Sequence, residues 1–438
     1  MIHHPVLRQL ADNGIRLGLD EVQSFLHSLG EPHRAYPVVH VAGTNGKGSV
    51  STMVTAALVD AGYSVGTNNS PHLEAVNERV RIDGVPIDDT TLTMAIESLD
   101  RARTDWARLR SRKDIPLTYF EFLTCVAFQV FAERAVNAAV IEVGLGGRLD
   151  ATNVVHPVVT AITSIGLDHV DQLGGTLASV ATEKAGIIKP GIPVIVGSMP
   201  AEARSTIEAV AEQRHAPIWL PGRHLSREHS RRGWNLSTPD GQIQGLKLAM
   251  EGEHQGANAM VALGVLHGLR RSGFAISDDA IVSGLSRAVI PGRLENIAPG
   301  LWVDGAHNED ATKALARWLA ARPPVRNRIL LFGMGSERDP RKVLAPLAPH
   351  VNEVVATHCA HPKARQSYEL AAVLQEMDIV LADGGPIEEA LPDVYQDADE
   401  IIVAGSLFVA GAATSIARAG ALDALTLGSR LDEDEADQ

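Results

Sequence analysis

Apolar residues run through this chain in short unbroken blocks, separated by stretches with helical spacing. Residues 38–41, 138–143, 158–163, 193–196, 329–332, 353–357 and 401–404 each read as a strand, and nearly all are continuous rather than alternating. Continuous apolar strands belong to parallel sheets covered on both faces. With helical patterns between them, the fold class is α/β with doubly wound sheets. Residues 220–250 break the rhythm: they are polar, rich in Arg, Ser and Gly, and read as short antiparallel strands or loops. After Pro291-Gly292-Arg293 a second α/β series begins, with a strand at 301–303, a helix over 310–319 and strands near 330, 354 and 402. No internal repeat or low-complexity segment stands out.

The first strand ends in the most informative stretch, residues 39–50, where three glycines surround Lys47 and an amphipathic helix is expected to follow. Glycines let backbone N–H groups converge, a helix start adds partial positive charge, and the lysine adds a full one. That is a polyphosphate cradle. It is not an ordinary Walker A loop, because Val41 stands where the first glycine belongs and Gly48 follows the lysine. Val50, Met53, Val54, Ala57, Leu58 and Ala61 recur at helical spacing, and Gly62 is placed to stop the helix. The expected architecture is an N-terminal P-loop-type, doubly wound, mostly parallel sheet domain over residues 1–291. A smaller Rossmann-like α/β domain follows over 292–438, with the boundary near 290–296.

At 438 residues, the chain is long enough for two or three domains. A net charge of −14 argues against a nucleic-acid surface, so anionic ligands must meet local positive sites. No apolar run reaches the ~18 residues of a membrane span, and Met1-Ile-His-His-Pro5 shows no secretion signal. The acidic end, 432–437, reads as a solvated tail. Cys125 and Cys359 are too few for a disulfide framework, and the cytoplasm is the expected compartment.

Glu142 ends an apolar strand beside a Gly-rich loop, where α/β folds bind ligands. It suits magnesium, which takes hard oxygen ligands, or a nearby arginine. Asp168 and His169 follow the next strand and are expected at the same sheet edge, in a functional or a structural role. Lys184, near the end of a helix, reads on composition as a surface lysine. Asp304 and His307 repeat the pairing of acid and histidine after 301–303. His358, Cys359 and His361 match no zinc spacing and read as an ordinary loop.

Several motifs stand in register along the chain: Gly-Thr-Asn-Gly-Lys-Gly-Ser (43–49), Ser-Pro-His-Leu (70–73), Glu-Arg-Val-Arg (78–81) and Leu-Thr-Tyr-Phe-Glu (117–121) come first. Glu142 to Asn153, Thr163 to His169, Glu183 to Ile187, His254 to Ala259, Pro291 to Arg293 and Asp304 to Asn308 follow. Together, from 18–20 to Gly405-Ser406, they resemble the Mur-ligase superfamily, and within it bacterial folylpolyglutamate synthase/dihydrofolate synthase.

The resemblance implies an ATP-binding and pterin-binding first domain and a glutamate-ligase second domain. Thr44, Asn45, Gly46, Lys47, Gly48 and Ser49 would bind the ATP phosphates, with Asn258, Arg293 and Asp304 completing the nucleotide site across the domain cleft. Ser70, Glu142, His169 and a carbamylated Lys184 would hold Mg2+. Thr118, Phe120, Asp150 and Ala151, with Arg79, would line a pterin pocket, and His307 and Ser406 would meet the incoming glutamate. Lys47, Lys184 and His307 are the implied catalytic residues. ATP would convert a pterin carboxylate into an acyl phosphate, which the glutamate amine then attacks. Domain closure would bring Asp304 and His307 to the nucleotide and keep water off the intermediate. The implied partners are small molecules (pterin or folate, L-glutamate, ATP), with no nucleic acid and no membrane, and the chain is expected to act as a monomer. A Mur-type ligase with a non-folate acceptor and a non-ligase P-loop nucleotide-binding protein are the alternatives. Pro-Lys-Ala-Arg at 362–365 departs from the Pro-Arg common in relatives, and a basic stretch, 101–112, precedes the pterin motif.

Overall fold

The computed structural model describes residues 4–11, 13–14, 16–110, 117–377, 379–422, 425 and 427. The acidic tail, Met1–His3 and the end of the basic stretch at 111–112 lie outside them. The chain divides into two compact units, one of Met1–Ala249 with Gln255–Val289, the other of Met250–His254 with Ile290–Gln438.

In the first unit, strands β1 (Val38–Ala42), β2 (Val65–Asn68), β3 (Val80–Ile82), β4 (Val85–Pro86), β5 (Ala138–Glu142), β6 (Val159–Ile162), β7 (Val194–Val196) and β8 (Ile218–Trp219) form one sheet. Their order is β4-β3-β2-β5-β1-β6-β7-β8. β1 is flanked by β5 and β6, both parallel to it, and every residue of β1 is buried. The chain turns one way from β1 to β2 and β5, then crosses to β6 on the other side. That switch leaves a crevice at the carboxyl ends of β1, β5 and β6. Two apolar clusters, one with Phe25, Phe122, Phe128 and Phe131 and the other with Val180, Ile187, Ile188 and Ile207, pack side by side on one face, where Val38 and Ala139 and then Ala42 and Ile162 stand in register. The helices Lys47–Asp60 and Glu253–Arg271 cover the other, through Thr55 against Thr67 and Gly264 against Ile195. The sheet is doubly wound, as the continuous apolar strands required.

β2 escaped the hydrophobic pattern because it reads Val-Gly-Thr-Asn, yet all four residues are buried. A Cβ on Gly66 would lie 2.6 Å from the Phe131 ring, so only glycine admits that ring. Thr67 Oγ1 bonds Thr55 Oγ1 at 2.7 Å, satisfying both hydroxyls in the interior.

The helix Lys47–Asp60 corrects the expectation of amphipathicity. Ser49, Val50, Ser51 and Met53 through Leu58 are all buried. The helix Asp278–Arg287 covers its outer side so closely that a Cβ on Gly284 would fall 2.3 Å from the Ala57 backbone. Gly62 ends the helix as read from sequence: at φ +88, its N–H donates to the Val59 carbonyl and that of Tyr63 to Leu58. The polar stretch forms β9 (Ser226–Ser230), β10 (Gly233–Thr238) and β11 (Gly241–Leu246), an antiparallel three-stranded sheet.

The second unit holds β12 (Glu295–Ala298), β13 (Leu301–Val303), β14 (Arg328–Phe332), β15 (Glu353–His358), β16 (Leu381–Pro386) and β17 (Glu400–Ala404), in the order β12-β13-β17-β14-β15-β16. All neighbours are parallel except β12 with β13. β13 and β17 lie side by side, so Asp304 and Gly405-Ser406 leave the same edge.

Candidate active site

The loop after β1 needs its glycines for space. Gly43 (φ +152) sits where a Cβ would lie 1.9 Å from Thr163 Oγ1, and Gly46 (φ +88) where one would lie 2.3 Å from Asn258 Oδ1. The loop is stitched to residues 163–166: Thr44 N donates to the Ser164 carbonyl, Asn45 N to Ser164 Oγ, and Thr163 Oγ1 to the Asn45 carbonyl at 2.6 Å. Asn258 is thus brought onto the loop, with its Nδ2 donating to Gln255 Oε1. Lys47, Gly48 and Ser49 open the helix, where N–H groups lack intrahelical acceptors. Lys47 Nζ folds back on the Gly43 carbonyl (3.0 Å) and the Thr44 carbonyl (3.3 Å).

Lys184 is not a surface lysine. It is 5% exposed, and its Nζ also donates to the Gly43 carbonyl, at 3.0 Å. Burial, then the neighbouring Lys47 charge, pushes its amine from 10.5 down to about 7, against the pull of Asp168 and Asp150. The helix Leu177–Ala185 delivers it by packing on the Gly-rich loop after β5. Arg148 N donates to the Glu183 carbonyl at 2.7 Å, and a Cβ on Gly147 would meet that carbonyl at 2.7 Å.

Glu142 closes β5 in register with Val41 and is buried. Its Oε2 accepts from Asn69 Nδ2 (2.9 Å) and the Ser70 backbone N–H (3.3 Å), which brings Ser70 and Glu142 together through the serine's backbone. Asn69 went unnoticed there, although it directly precedes the Ser-Pro-His motif. His169 leaves the same edge with φ +51, 3.9 Å from Asp168 Oδ1. Among the described residues, no group of three or more His, Cys, Asp or Glu side chains is arranged to hold a metal. The expected magnesium set contains only two such residues. Its fit rests on chemistry: a buried strand-end carboxylate, with a serine beside it, offers the hard oxygens that magnesium prefers.

Thr118 caps the helix Tyr119–Glu133 in a capping box: its Oγ1 accepts from Glu121 N, and its N–H donates to Glu121 Oε2. Phe120 lies over Gly144, where a Cβ would come 2.3 Å from the ring. Arg79 Nε donates to His72 Nδ1 at 2.9 Å, and its guanidinium sits 5.5 Å from the Tyr119 ring centroid. Asp150 and Ala151 are buried at the end of the Gly-rich loop.

In the second unit, the Asp304 carboxylate is spanned by its own backbone: Leu294 N donates to Oδ2 at 2.9 Å and Ala306 N to Oδ1 at 2.8 Å. Burial raises its pKa, opposed by the nearby Arg293 charge. A Cβ on Gly305 would lie 3.1 Å from Arg293 Nη1. His307 Nδ1 is 2.7 Å from the Gly305 carbonyl, which can only accept, so Nδ1 carries the proton. Ser406 caps the helix Leu407–Arg418, its Oγ accepting from Phe408 N and Val409 N, and Gly405 N donates to the Ala306 carbonyl. Arg293, Asp304, His307 and Ser406 therefore share one edge. The departure at 362–365 ties down a neighbouring loop: Arg365 Nη2 donates to the Ser336 carbonyl, and Lys363 pairs with Glu337. His361 stacks on Phe408 at 3.7 Å, and His358 Nδ1 accepts from Ser367 N.

The family model described as the Mur ligase middle domain matches residues 41–266, and the Mur ligase, glutamate ligase domain matches residues 292–407. The dihydrofolate synthase/folylpolyglutamate synthase of Mycobacterium tuberculosis is 32% identical, over 95% of this chain and 93% of its own. Escherichia coli FolC, solved with DHPP and ADP, is 32% identical at a TM-score of 0.85, covering 94% of this chain and 96% of its own. A bifunctional folylpolyglutamate synthase/dihydrofolate synthase with Mn, AMPPNP and L-glutamate bound is 33% identical at a TM-score of 0.82, covering 94% and 97%. No helix among the described residues is long and apolar enough to cross a membrane.

Proposed function

We propose, since this chain belongs to the folylpolyglutamate synthase/dihydrofolate synthase family of Mur ligases, that it uses ATP to join L-glutamate to the carboxylate of a pterin or folate. The reaction activates an unreactive carboxylate. Transfer of the γ-phosphoryl group gives an acyl phosphate and ADP; the glutamate amine attacks the acyl carbon, phosphate leaves, and an amide remains. One difficult displacement becomes two easier ones.

We assign residues 44–49 and Asn258, with Arg293 and Asp304, to the nucleotide. Lys47 meets the transferring phosphoryl group, where fixed charge is most effective. A divalent metal, when bound, neutralises charge on that group; Ser70, Glu142, His169 and Lys184 are the residues that would hold it. The buried Lys184 amine carries this reading at the level of side chains. With a pKa of about 7, a large fraction is uncharged at neutral pH, and an uncharged amine is the form that adds to carbon dioxide. Its lone pair bonds to the carbon, one proton leaves to solvent, and the uncharged amine becomes an anionic carbamate. Thr118, Phe120, Asp150, Ala151 and Arg79 are assigned to the pterin, and His307 and Ser406 to glutamate. His307, its Nδ1 held by the Gly305 carbonyl, is the base we assign to the incoming ammonium. We further assign the enzyme to the cytoplasm as a monomer without a nucleic-acid partner.

The test incubates purified protein with ATP, Mg2+ and glutamate, offering dihydropteroate and tetrahydrofolate separately. Phosphate release and product mass are followed. A product heavier by one glutamate with either pterin supports the reading, and with both it makes the enzyme bifunctional. Phosphate release without an amide, or no turnover with either, overturns it.

A further inference from the structure

β1 contains one polar side chain, His40, set among valines and an alanine in the central strand and completely buried. Its Nε2 lies 2.9 Å from Thr152 Oγ1, while its Nδ1 is buried with no hydrogen-bonding partner among the described residues. Thr152 Oγ1 in turn lies 2.5 Å from Asp150 Oδ1. From this chain of contacts we propose that His40 and Thr152 are positioning residues for the pterin substrate, fixing the rotation of the Asp150 carboxylate. The proposal rests on the assignment of Asp150 to the pterin.

Counting protons gives the chain a direction. Asp150 Oδ1 accepts the Thr152 backbone N–H at 3.0 Å, and Oδ2 accepts the Leu145 N–H at 2.8 Å. A carboxyl group with a backbone donor on each oxygen is held as an acceptor on both sides, so the Thr152 hydroxyl gives its proton to Oδ1. Having spent its one proton, Oγ1 can only accept from the imidazole. Nε2 therefore carries the hydrogen and Nδ1 is bare. The reverse order would need a protonated Asp150 and would bury an Nδ1–H with nothing to receive it.

The surroundings agree. Burial, with the Lys189 charge second, holds the imidazole pKa down at about 3, so the ring has a single proton to place. Burial also raises the Asp150 pKa, while the Thr152, Leu145 and Gly144 donors pull it back. Two donors stand on Oδ1 and the Leu145 N–H stands on Oδ2, so only part of the carboxylate's accepting capacity is left for a ligand. The pyrimidine edge of a pterin presents N–H donors, and a carboxylate whose plane is fixed receives one on a remaining lone pair without first being ordered. An orphaned imidazole nitrogen in a strand interior is unfavourable. On this reading it is tolerated because the other nitrogen keeps a binding group in line.

The test is steady-state kinetics of the full chain with saturating ATP, Mg2+ and glutamate and varied pterin. Loss of alignment far from the reacting carboxylate removes uniform binding, which moves KM rather than kcat. Thr152→Val and His40→Leu are expected to raise the pterin KM about tenfold, with kcat and the ATP KM changed by less than about twofold. Thr152→Ser and His40→Gln, which keep a hydroxyl and an N–H donor, should return the pterin KM to within about threefold of the parent. If Asp150→Asn raises the pterin KM but Thr152→Val and His40→Leu do not, the inference is overturned and the Asp150 assignment stands. If Asp150→Asn leaves it unchanged, the assignment itself falls. Equal losses in kcat and in both KM values would mark a merely structural role and also overturn the inference. Should the His40 variants not fold, 15N spectra of the histidine-labelled parent decide it. An unprotonated Nδ1 at His40, assigned in the parent by the through-space contact of its ring with Thr152, supports the chain; a protonated Nδ1 refutes it.

Discussion

The two units end their sheets in the same way, an acidic residue at the carboxyl edge of a parallel strand, but they treat charge oppositely. In the second unit, Asp304 is satisfied by two backbone N–H groups within ten residues of itself, so the carboxylate braces its own loop. In the first, two lysines from different helices donate to one carbonyl, that of Gly43, and burial drives one of them towards neutrality. Full satisfaction signals a brace. Like charges crowded on one acceptor signal a site kept ready for an anion, which would relieve both lysines at once.

The contrast breaks first at Lys184. Lys184→Ala should lower ligase turnover by on the order of 10²–10³-fold, while circular dichroism and the unfolding midpoint stay those of a folded protein; full activity at ordinary magnesium would remove the metal-side role. The same residue gives a pH signature. Its folded pKa lies below its unfolded value, so the folded state binds fewer protons between about 7 and 10.5, and stability rises with pH through that window. In buffer free of carbon dioxide, Lys184→Met should therefore be more stable than the parent at pH 6. That advantage should shrink steadily from pH 7 to 10, and a pH-independent gap would show that the amine is not depressed. Next in size is Gly46→Ala, whose Cβ would meet Asn258 Oδ1 at 2.3 Å. With about 1–2 kcal/mol of backbone strain besides, ATP affinity by calorimetry should fall at least about tenfold.

The second unit sharpens the comparison through stability. Asp304→Asn turns an amide nitrogen towards a backbone N–H and should cost about 1–3 kcal/mol in urea unfolding; an unchanged midpoint would deny the bracing role. Smallest is Ser406→Ala, which removes a helix cap for about 1 kcal/mol. A raised glutamate KM in that variant is expected from its assignment to glutamate; an unchanged one would leave Ser406 a cap alone.

What the sequence made legible was whatever local pattern controls. The parallel strands announced themselves as apolar runs, and the phosphate loop as glycines around a lysine. β2 and β16 stayed hidden, since Val-Gly-Thr-Asn and Leu-Ala-Asp-Gly-Gly-Pro become strands only through their neighbours. The burial of Lys184 was invisible for the same reason: the periodicity of its helix says nothing about the Gly-rich loop packed on its last turn. Asn69, Thr163 and Ser164 act through residues some 70 to 120 positions away, beyond the reach of any local pattern. His40 was in plain view, a polar letter in an apolar strand, but its meaning needs Thr152 beside it.

The helix Lys47–Asp60 is enclosed through its middle turns, with the sheet beneath it and Gly284 pressed against Ala57 above. Its amides should therefore exchange with solvent only when the whole unit opens, and the N–H groups at its start hold one orientation whether or not phosphate is present. Nucleotide affinity in such an arrangement is set before the nucleotide arrives. A single methyl group added at Gly284, far along the chain from the loop, would tilt the helix and be felt as weaker nucleotide binding.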